Sequence, residues 1–434
     1  MAKKKPLDLI LERKTLVEDH YRGRNANMSK WLDYYLLKIQ WAESDKNQVV
    51  PSSFFDTVEM TAALNCAKPP MISVPARNGV DKQTEVALRA HAQIIEDACY
   101  AIYHTSKLQL TFAQAVKRSA AQGVGWVHGP IWKKSSNRQP WPLFYQSLDP
   151  TTVYPNPADD SPDNPEWVMR ICEITNGEAL ATYPKIKNKL KPKNGEEYDD
   201  WLVQMVDLID YWTWVDDTEV QHAVVIDGEE AEPLEKVAGY DFLPFTRIPG
   251  IETVSGEEAT KHVPIFWAAI SPILQTARLL SMRINVIDRI SNPVLIMQTL
   301  NTNPDQRGDF SILNEPGAVN YLLEGEKVEY LRSPDTTVDI DKLNAEFSRQ
   351  ISRSTYPDAF FGQMEGSNIT GIAMNALLNP RFVSIQSRQN GIEEAHERLF
   401  ANTFSLLRDK IGEKGMEMTG RSAKGRRIMF DLTG

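Results

Sequence analysis

The sequence contains 434 residues, of which 42% are hydrophobic and 24% are charged, enough apolar material to build one large core or several smaller ones. Its formal net charge of -10 argues against tight, sequence-independent binding to nucleic acid, because affinity for phosphates needs an excess of lysine and arginine. Cys66, Cys99 and Cys172 are far apart and form no CxxC pair, which predicts a reducing compartment without a disulfide framework or a zinc site.

The N-terminal part of the chain, up to about residue 122, is predicted to be helical. Apolar residues at spacings of three and four cover residues 7–41, and a polar interruption at 22–27 favours two helices over one. A loop is expected at 71–81. Further helices are predicted at 54–66, 82–104 and 108–121. In the helix at 82–104, one face would be formed by Val86, Leu88, Ala92, Ile95 and Cys99.

Residues 123–260 have the alternation and turn residues of a β-rich unit whose loops hold much of the acidic excess. Strands are predicted at 125–132, 142–145, 167–174, 203–215, 220–226 and 242–247, with a short helix at 177–183. Between them we expect an exposed, lysine-rich linker at 185–195 and an acidic tip at 227–232.

The remainder of the chain is predicted to alternate between long helices and short strands. A single apolar stripe from Ile270 to Ile287 predicts one long helix, which Pro293 ends. A second helix starts at Ile340, and a third covers residues 375–411 with a bend at Pro380. Short strands are predicted at 294–297, 319–323 and 327–331, and the tail at 412–434 is expected to be poorly ordered.

No segment has the roughly 18 consecutive apolar residues of a membrane span, and no apolar signal-peptide core follows the N-terminal lysines. We therefore expect a soluble, intracellular protein with no membrane partner. The motifs of catalysis are also incomplete. The glycine-rich stretch at 362–371 lacks the Lys-Ser/Thr ending of a phosphate-binding loop, so a structural turn is the better interpretation.

Two further candidate sites are weak. His396, in the run EEAHE, resembles a metalloprotease helix, but the position of the second ligand is Phe400, which favours an exposed helix face. Asp159, Asp160 and Asp163 could hold a hard cation, but no bidentate glutamate follows at the required spacing, which favours a solvated turn. We predict no catalytic residue, no metal site and no cofactor.

One basic stripe remains of interest. Lys342, Arg349 and Arg353 fall on one face of the helix that starts near residue 340. They form either a solvated face with an intrahelical partner, Glu346, or a contact surface for DNA, and the sequence favours neither. The ten tryptophans are spread along the chain without interleaved basic residues, so core and interface packing explains them better than a stacking platform for single strands.

The order of these elements, together with local runs, resembles the portal protein (head-to-tail connector) of tailed bacteriophages. The run AQGVGWVH at 121–128 is followed by SLDP at 147–150 and VYPNP at 153–157. The run YPDAFFG at 356–362, followed by GSN at 366–368, is similar to the segment that precedes the long wing helix in that family. The resemblance covers nearly the whole chain by element order, and its motifs are loose.

This resemblance implies an α+β portal fold with a helical and β-rich wing, a helical stem, a small α/β clip, a long kinked wing helix and little or no crown. Mapped onto the sequence, it divides the chain into the following parts: wing 1–260 (helical to about 122, β-rich at 123–260), first stem helix 261–291, clip 292–338, second stem helix 339–356, tunnel loop 357–372, long wing helix 373–412, and a tail or short crown at 413–434.

The resemblance also implies a function. Such proteins form a ring, generally of twelve subunits, at one vertex of the capsid, where the ring is the channel for genome packaging and ejection. The implied partners are the terminase large subunit, the major capsid protein and scaffold, a head-to-tail adaptor, and the double-stranded DNA that passes through. The protein would be found in the virion and, during assembly, in the host cytoplasm. Alternative functions are a capsid assembly or scaffold protein without a channel, or a metal-dependent nuclease.

Three groups of residues would serve that function. The stem lumen would present the basic face of Lys342, Arg349 and Arg353. The tunnel loop would face DNA through Phe360, Phe361, Gln363, Met364, Glu365, Ser367 and Asn368. The clip would dock the motor and the adaptor through Asn303, Asp305, Arg307, Asp309, Glu315, Glu324 and Glu326.

Overall fold

The chain is a mixture of helix and sheet, which confirms the general α+β class. The structure, a computed structural model, divides into two compact units. The larger unit comprises residues 1–36, 55–265 and 368–434, and the smaller comprises residues 37–54 and 266–367. The structure describes residues 5–39, 48–66, 69–75, 82–133, 141–159, 163–192, 198–216, 218–291, 295–298, 327–330, 337–355, 371–411, 416–421 and 427–432.

Five helices open the chain: α1 (Pro6–His20), α2 (Arg22–Tyr35), α3 (Ser53–Cys66), α4 (Lys82–Thr105) and α5 (Leu108–Gln122). The predicted break between the first two is present, but it consists of Tyr21 alone, and residues 22–27 are helical. The prediction missed this because Arg24 counted as a polar interruption. Its guanidinium is in fact buried, lies 3.9 Å from the centre of the Tyr21 ring, and donates from Nη2 to the carbonyl of Val153 at 3.1 Å.

Helix α4 has the predicted bounds to within one residue, but its predicted apolar face is only partly buried. Val86 and Ile95 are 70% and 40% exposed, whereas Ala92 and Cys99 are buried. The buried part of the helix is its C-terminal half, where Ile102 and Tyr103 enter the core beside α5. The stripe therefore predicted the helix correctly and its burial incorrectly, because a sequence stripe does not show where along the helix a partner is present.

The larger unit contains two main sheets, both antiparallel. The first, in the order β2-β1-β8, is formed by β1 (Val124–Trp132), β2 (Leu143–Leu148) and β8 (Phe245–Pro249). The second, in the order β3-β4-β5-β6-β7, is formed by β3 (Val153–Pro155), β4 (Trp167–Thr175), β5 (Met205–Asp216), β6 (Glu219–Ile226) and β7 (Glu229–Lys236). The strands predicted at 203–215 and 220–226 correspond to β5 and β6, which pair antiparallel with Trp212 opposite His222.

Short elements complete this part of the chain: α6 (Asn176–Thr182), α7 (Tyr198–Val203), α8 (Glu258–Lys261), β9 (Ile251–Glu252) and β10 (His262–Val263). The turn from α5 into β1 depends on Gly123, whose φ is +93°. A Cβ at this position would lie 2.7 Å from the backbone carbonyl carbon of His262, so only glycine fits both the conformation and the space.

Two predictions for loops of this unit were wrong. Within the described part of the lysine-rich linker, residues 184–188 form a 3₁₀ turn in which Ile186 is fully buried, and Leu190 is 7% exposed. Both pack in a cluster with Trp201, so the lysines stand on the outer side of an anchored segment. The predicted acidic tip is mostly strand, because only Asp227 and Gly228 form the turn and β7 starts at the next residue.

The C-terminal elements of the larger unit are α11 (Gly371–Ile411), β13 (Met416–Arg421) and β14 (Arg427–Leu432). Helix α11 continues through Pro380, and its C-terminal half packs against β1 and β8. Leu399 and Leu406 are fully buried there, and Thr403 shares a hydrogen bond of 2.8 Å with the Tyr145 hydroxyl. The predicted disorder of the tail was wrong, since β13 and β14 pair as an antiparallel hairpin beside α4.

The smaller unit contains α9 (Ile270–Ser291), β11 (Leu295–Gln298), β12 (Lys327–Tyr330) and α10 (Thr337–Ser354). Strands β11 and β12 pair antiparallel, with Leu295 opposite Tyr330. Both strands match the predicted positions to within one residue. The third strand predicted in this region, at 319–323, lies outside the described residues.

Candidate functional site

The candidate site is the helix pair α9 and α10 of the smaller unit, which pack on each other. The apolar stripe of α9 changes character along the helix. Ile273 and Ala277 are fully buried, whereas Ile284 and Ile287 are 39% and 50% exposed. The C-terminal half of the stripe therefore lacks a cover within the described part of the chain.

Helix α10 shows a similar pattern. Its apolar side, formed by Leu343, Phe347 and Ile351, is half-buried at Phe347 and Ile351, but Leu343 is 50% exposed. An ion pair between Arg283 Nη1 of α9 and Asp341 Oδ1 of α10, at 2.8 Å, fixes how the two helices meet. Both carboxylate and guanidinium are about half exposed, so this pair orients the helices more than it stabilises them.

The predicted basic stripe is present on α10, where Lys342, Arg349 and Arg353 are all exposed. The predicted intrahelical partner is also present, because Arg349 Nη1 lies 3.7 Å from Glu346 Oε2. The two side chains are 73% and 52% exposed, so solvent screens the pair and it holds Arg349 only loosely. The stripe is thus a solvated face whose charges remain accessible to a polyanion.

The other two groups of residues assigned by resemblance are the tunnel loop and the clip. Phe360, Phe361, Gln363, Met364, Glu365, Ser367 and Asn368 of the predicted tunnel loop lie outside the described residues. The same holds for Asn303, Asp305, Arg307, Asp309, Glu315, Glu324 and Glu326 of the predicted clip.

The aspartates considered as a cation site have protein partners instead. Asp163 Oδ1 accepts from Arg247 Nη1 at 3.1 Å, and Asp159 Oδ2 accepts from the amide of Glu166 at 2.7 Å. The turn is therefore paired with the protein, whereas the prediction favoured solvation; Asp160 lies outside the described residues. Among the described residues, no group of three His, Cys, Asp or Glu side chains could hold a metal ion.

Arg247 is the centre of an ionic network that the sequence did not indicate. It is 5% exposed, pairs with Asp163 and Glu252, and lies beside the His262 ring at 3.4 Å. Burial, together with the Arg247 charge, lowers the pKa of His262 to about 3, so this histidine is neutral at pH 7. Arg398 of α11 donates to the carbonyl of Asp163 at 2.8 Å, which ties the helix to the same loop.

A second buried cluster lies at the five-stranded sheet. Asp210 Oδ1 accepts from the Trp212 indole and lies 2.7 Å from His222 Nε2, while Asp210 Oδ2 lies 3.9 Å from His128 Nε2. Although burial acts against ionisation, the hydrogen bond from His222 and the nearby charges lower the pKa of Asp210 to about 2. Burial lowers the pKa of His128 to about 4.

An Asp–His pair can activate a nucleophile, and the charge of Asp210 acts on the Cys172 thiol. Burial raises the pKa of the Cys172 thiol, which disfavours the thiolate that such chemistry needs. Burial also raises the pKa of Cys66 to about 11 and that of Cys99 to about 12. The raised pKa values keep all three thiols protonated at pH 7.

His396 differs from its prediction. It was expected on an exposed helix face, but it is 8% exposed, and its ring stacks on Phe112 with 3.6 Å between centroids. The reason is that the apolar side of α11 includes positions 392, 395 and 399, and His396 lies next to this side. Burial lowers the pKa of His396 to about 4.

Core packing is confirmed for five of the ten tryptophans, since Trp31, Trp126, Trp167, Trp201 and Trp212 are at most 5% exposed, whereas Trp267 is 42% exposed. No helix within the described ranges is long and apolar enough to cross a membrane. Comparison with known proteins gives no relative: no family model matches the chain, and no curated protein matches it.

Proposed function

We propose that the chain is a phage portal protein, which assembles as a ring at one capsid vertex and forms the channel for genome packaging and ejection. The observation that carries the proposal is the partly uncovered helix pair of the smaller unit. Ile284, Ile287 and Leu343 are each at least 39% exposed, although the stripes they continue are buried elsewhere on α9 and half-buried elsewhere on α10. Neighbouring copies around a rotation axis would cover such residues.

Two further features support the proposal. The smaller unit includes one continuous stretch, residues 266–367, that lies in sequence between two segments of the larger unit, as a stem and clip would lie between two parts of a wing. The net charge of -10 suits a channel for DNA, because a mostly negative lumen does not bind the duplex tightly. The loosely paired basic stripe of α10 could then centre the duplex through weak contacts. On this proposal the partners are the terminase, the capsid protein, an adaptor and double-stranded DNA.

The test is electron microscopy of the purified full chain, with mass photometry for subunit number. We expect rings with a central hole. Ile287→Asp should shift the protein towards monomers without unfolding it, because the side chain is already half exposed. Lys185→Asp is the matched control, since this exposed residue lies in the larger unit and should not affect assembly.

Other outcomes distinguish the alternatives. A protein that stays monomeric at high concentration, with and without double-stranded DNA, would contradict the proposal. Assemblies without a central hole would favour a capsid scaffold protein. Cleavage of DNA that depends on added Mg²⁺ or Mn²⁺ would favour a nuclease.

A further inference from the structure

A groove of about 800 Å³ lies in the larger unit between α4, α11 and the extended segment 69–75. Its apolar lining includes Ile95 of α4, Phe400 and Phe404 of α11, and Met71 of the segment. Met71 is 95% exposed and Ile95 is 40% exposed, so this is an open apolar surface. A volume of this size accommodates a large aromatic side chain with its neighbours.

The extended segment 69–75, which forms the third wall of the groove, is fixed by polar contacts with α4. The Tyr100 hydroxyl accepts from the amide of Ile72 at 3.0 Å and donates to the carbonyl of Pro70 at 3.2 Å. Glu96 accepts from the amide of Val74 at 2.9 Å. These bonds hold the segment in an extended form and keep the groove open before anything binds.

The floor of the groove contains His396, which is nine-tenths buried. Its Nδ1 lies 3.0 Å from the carbonyl oxygen of Ile392, which can only accept, so the ring proton is on Nδ1. The ring is neutral and Nε2 is therefore a lone-pair acceptor. Nε2 is buried and has no hydrogen-bond partner within the described part of the chain. A buried acceptor of this kind is costly until a donor reaches it.

The rim of the groove is acidic. Glu393 and Glu397 lie one turn apart on α11, both exposed, and both line the groove. None of the described residues that line it is Lys or Arg. An occupant with a positive charge beside its apolar part would match this rim.

We propose that this groove is a docking site for a peptide segment of a partner protein, which inserts a Trp or Tyr side chain beside a Lys or Arg. The aromatic ring fills the apolar groove, and the basic side chain lies against Glu393 and Glu397. Because His396 Nε2 is buried in the free protein, the neighbouring side chains move on binding and uncover it, so that the N–H or O–H of the ring donates to it. Aromatic residues with a polar end commonly anchor such interfaces. This docking site does not depend on ring assembly, so the proposal would hold even if the chain formed no ring.

The first experiment compares two probes on the unaltered full chain by calorimetry. Indole carries the donor, and benzothiophene has the same shape with sulfur in place of the N–H group. We expect saturable indole binding in the millimolar range and about tenfold weaker binding of benzothiophene, the effect of one lost hydrogen bond. No saturable binding of indole would overturn the proposal, and equal binding of the two probes would overturn the role of His396.

His396→Phe keeps the stacking on Phe112 and removes the acceptor, so the two probes should bind it within about twofold of each other. A continued preference for indole in this variant would overturn the assignment. The comparison of probes on the unaltered chain is decisive even if this variant does not fold.

The second experiment tests the acidic rim with two capped dipeptides, acetyl-Trp-Lys-amide and acetyl-Trp-Glu-amide, at low salt. We expect the lysine peptide to bind about fivefold more tightly, and the Glu393→Gln, Glu397→Gln double variant to remove that preference. Glu394→Gln is the matched control, because Glu394 is exposed on the same helix but does not line the groove. Equal binding of the peptides, or loss of the preference in the control, would overturn the peptide assignment.

Discussion

The larger unit should lose stability steeply as the pH falls below 6.5, because it buries three neutral histidines. His128, His262 and His396 are each at most 8% exposed, and burial is the largest cause of their lowered pKa values, which are about 4, about 3 and about 4. In the unfolded chain each returns to a pKa near 6.5. Between these values the unfolded state binds more protons, so stability falls as the pH falls.

The magnitude follows from this linkage. Each histidine contributes about 1.4 kcal/mol per pH unit within its window, so the three together give about 4 kcal/mol per pH unit. From pH 6.5 to pH 5 the loss is about 5 kcal/mol, because each unfolded-state histidine is already half protonated at pH 6.5, and this loss is comparable to the whole stability of an ordinary domain. Asp210 moderates the His128 contribution, since its carboxylate favours the imidazolium from 3.9 Å. Above about pH 7.5 these histidines add almost no pH dependence, because they are then neutral in the unfolded state as well.

The assay is urea unfolding followed by far-ultraviolet circular dichroism between pH 5 and pH 8. His396→Phe should reduce the slope of stability against pH by about one proton, while His91→Gln, at an exposed position, should leave it unchanged. A slope below about 1.4 kcal/mol per pH unit, or an equal effect of the two variants, would refute the reasoning.

Two further predictions concern packing and charge. Arg247→Met should lower the free energy of unfolding in urea by about 2–4 kcal/mol, because it removes the buried partner of two carboxylates. Lys236→Met breaks an exposed pair and should lower it by less than about 1 kcal/mol. Equal costs would contradict the network. Gly123→Ala should lower the free energy of unfolding by about 3 kcal/mol or more, since the new Cβ would clash with backbone atoms. Gly228→Ala should lower it by about 1 kcal/mol, since a Cβ there has no atom within 4 Å. If the two glycine variants unfold alike, the steric argument is wrong.

Local patterns predicted much of the secondary structure. Alternation with a short polar turn predicted β5 and β6, and the helix predicted at 108–121 matches α5 to within one residue. Both signals depend on neighbours in sequence, which is why they can be read without the fold. The spacing of Lys342, Arg349 and Arg353 on one helix face was predictable for the same reason.

The errors share another cause, since each depends on a distant partner. Arg24 and His396 are polar, but the rest of the chain buries them against Val153 and Phe112. Asp163 pairs with Arg247, which is 84 residues away in sequence. The residues next to Asp163 give no sign of this partner, so they suggested a solvated turn. Ile186 is a single apolar residue among lysines, too weak a signal to show that its segment is anchored. Such burial is decided by tertiary packing, which no local window contains.

The discontinuous course of the chain sets an order of events during synthesis on the ribosome. The Tyr145 hydroxyl can form its hydrogen bond only after Thr403 is synthesised, 258 residues later. Likewise, β1 and β8 can pack against the buried leucines of α11 only after that helix is synthesised. The first three-stranded sheet is therefore made long before its cover, and its apolar side stays open while residues 266–367 are translated. Contacts this distant in sequence slow folding and leave time for aggregation. A nascent chain stalled near residue 367 should thus be far more sensitive to protease and more readily bound by chaperones than one stalled beyond the end of α11.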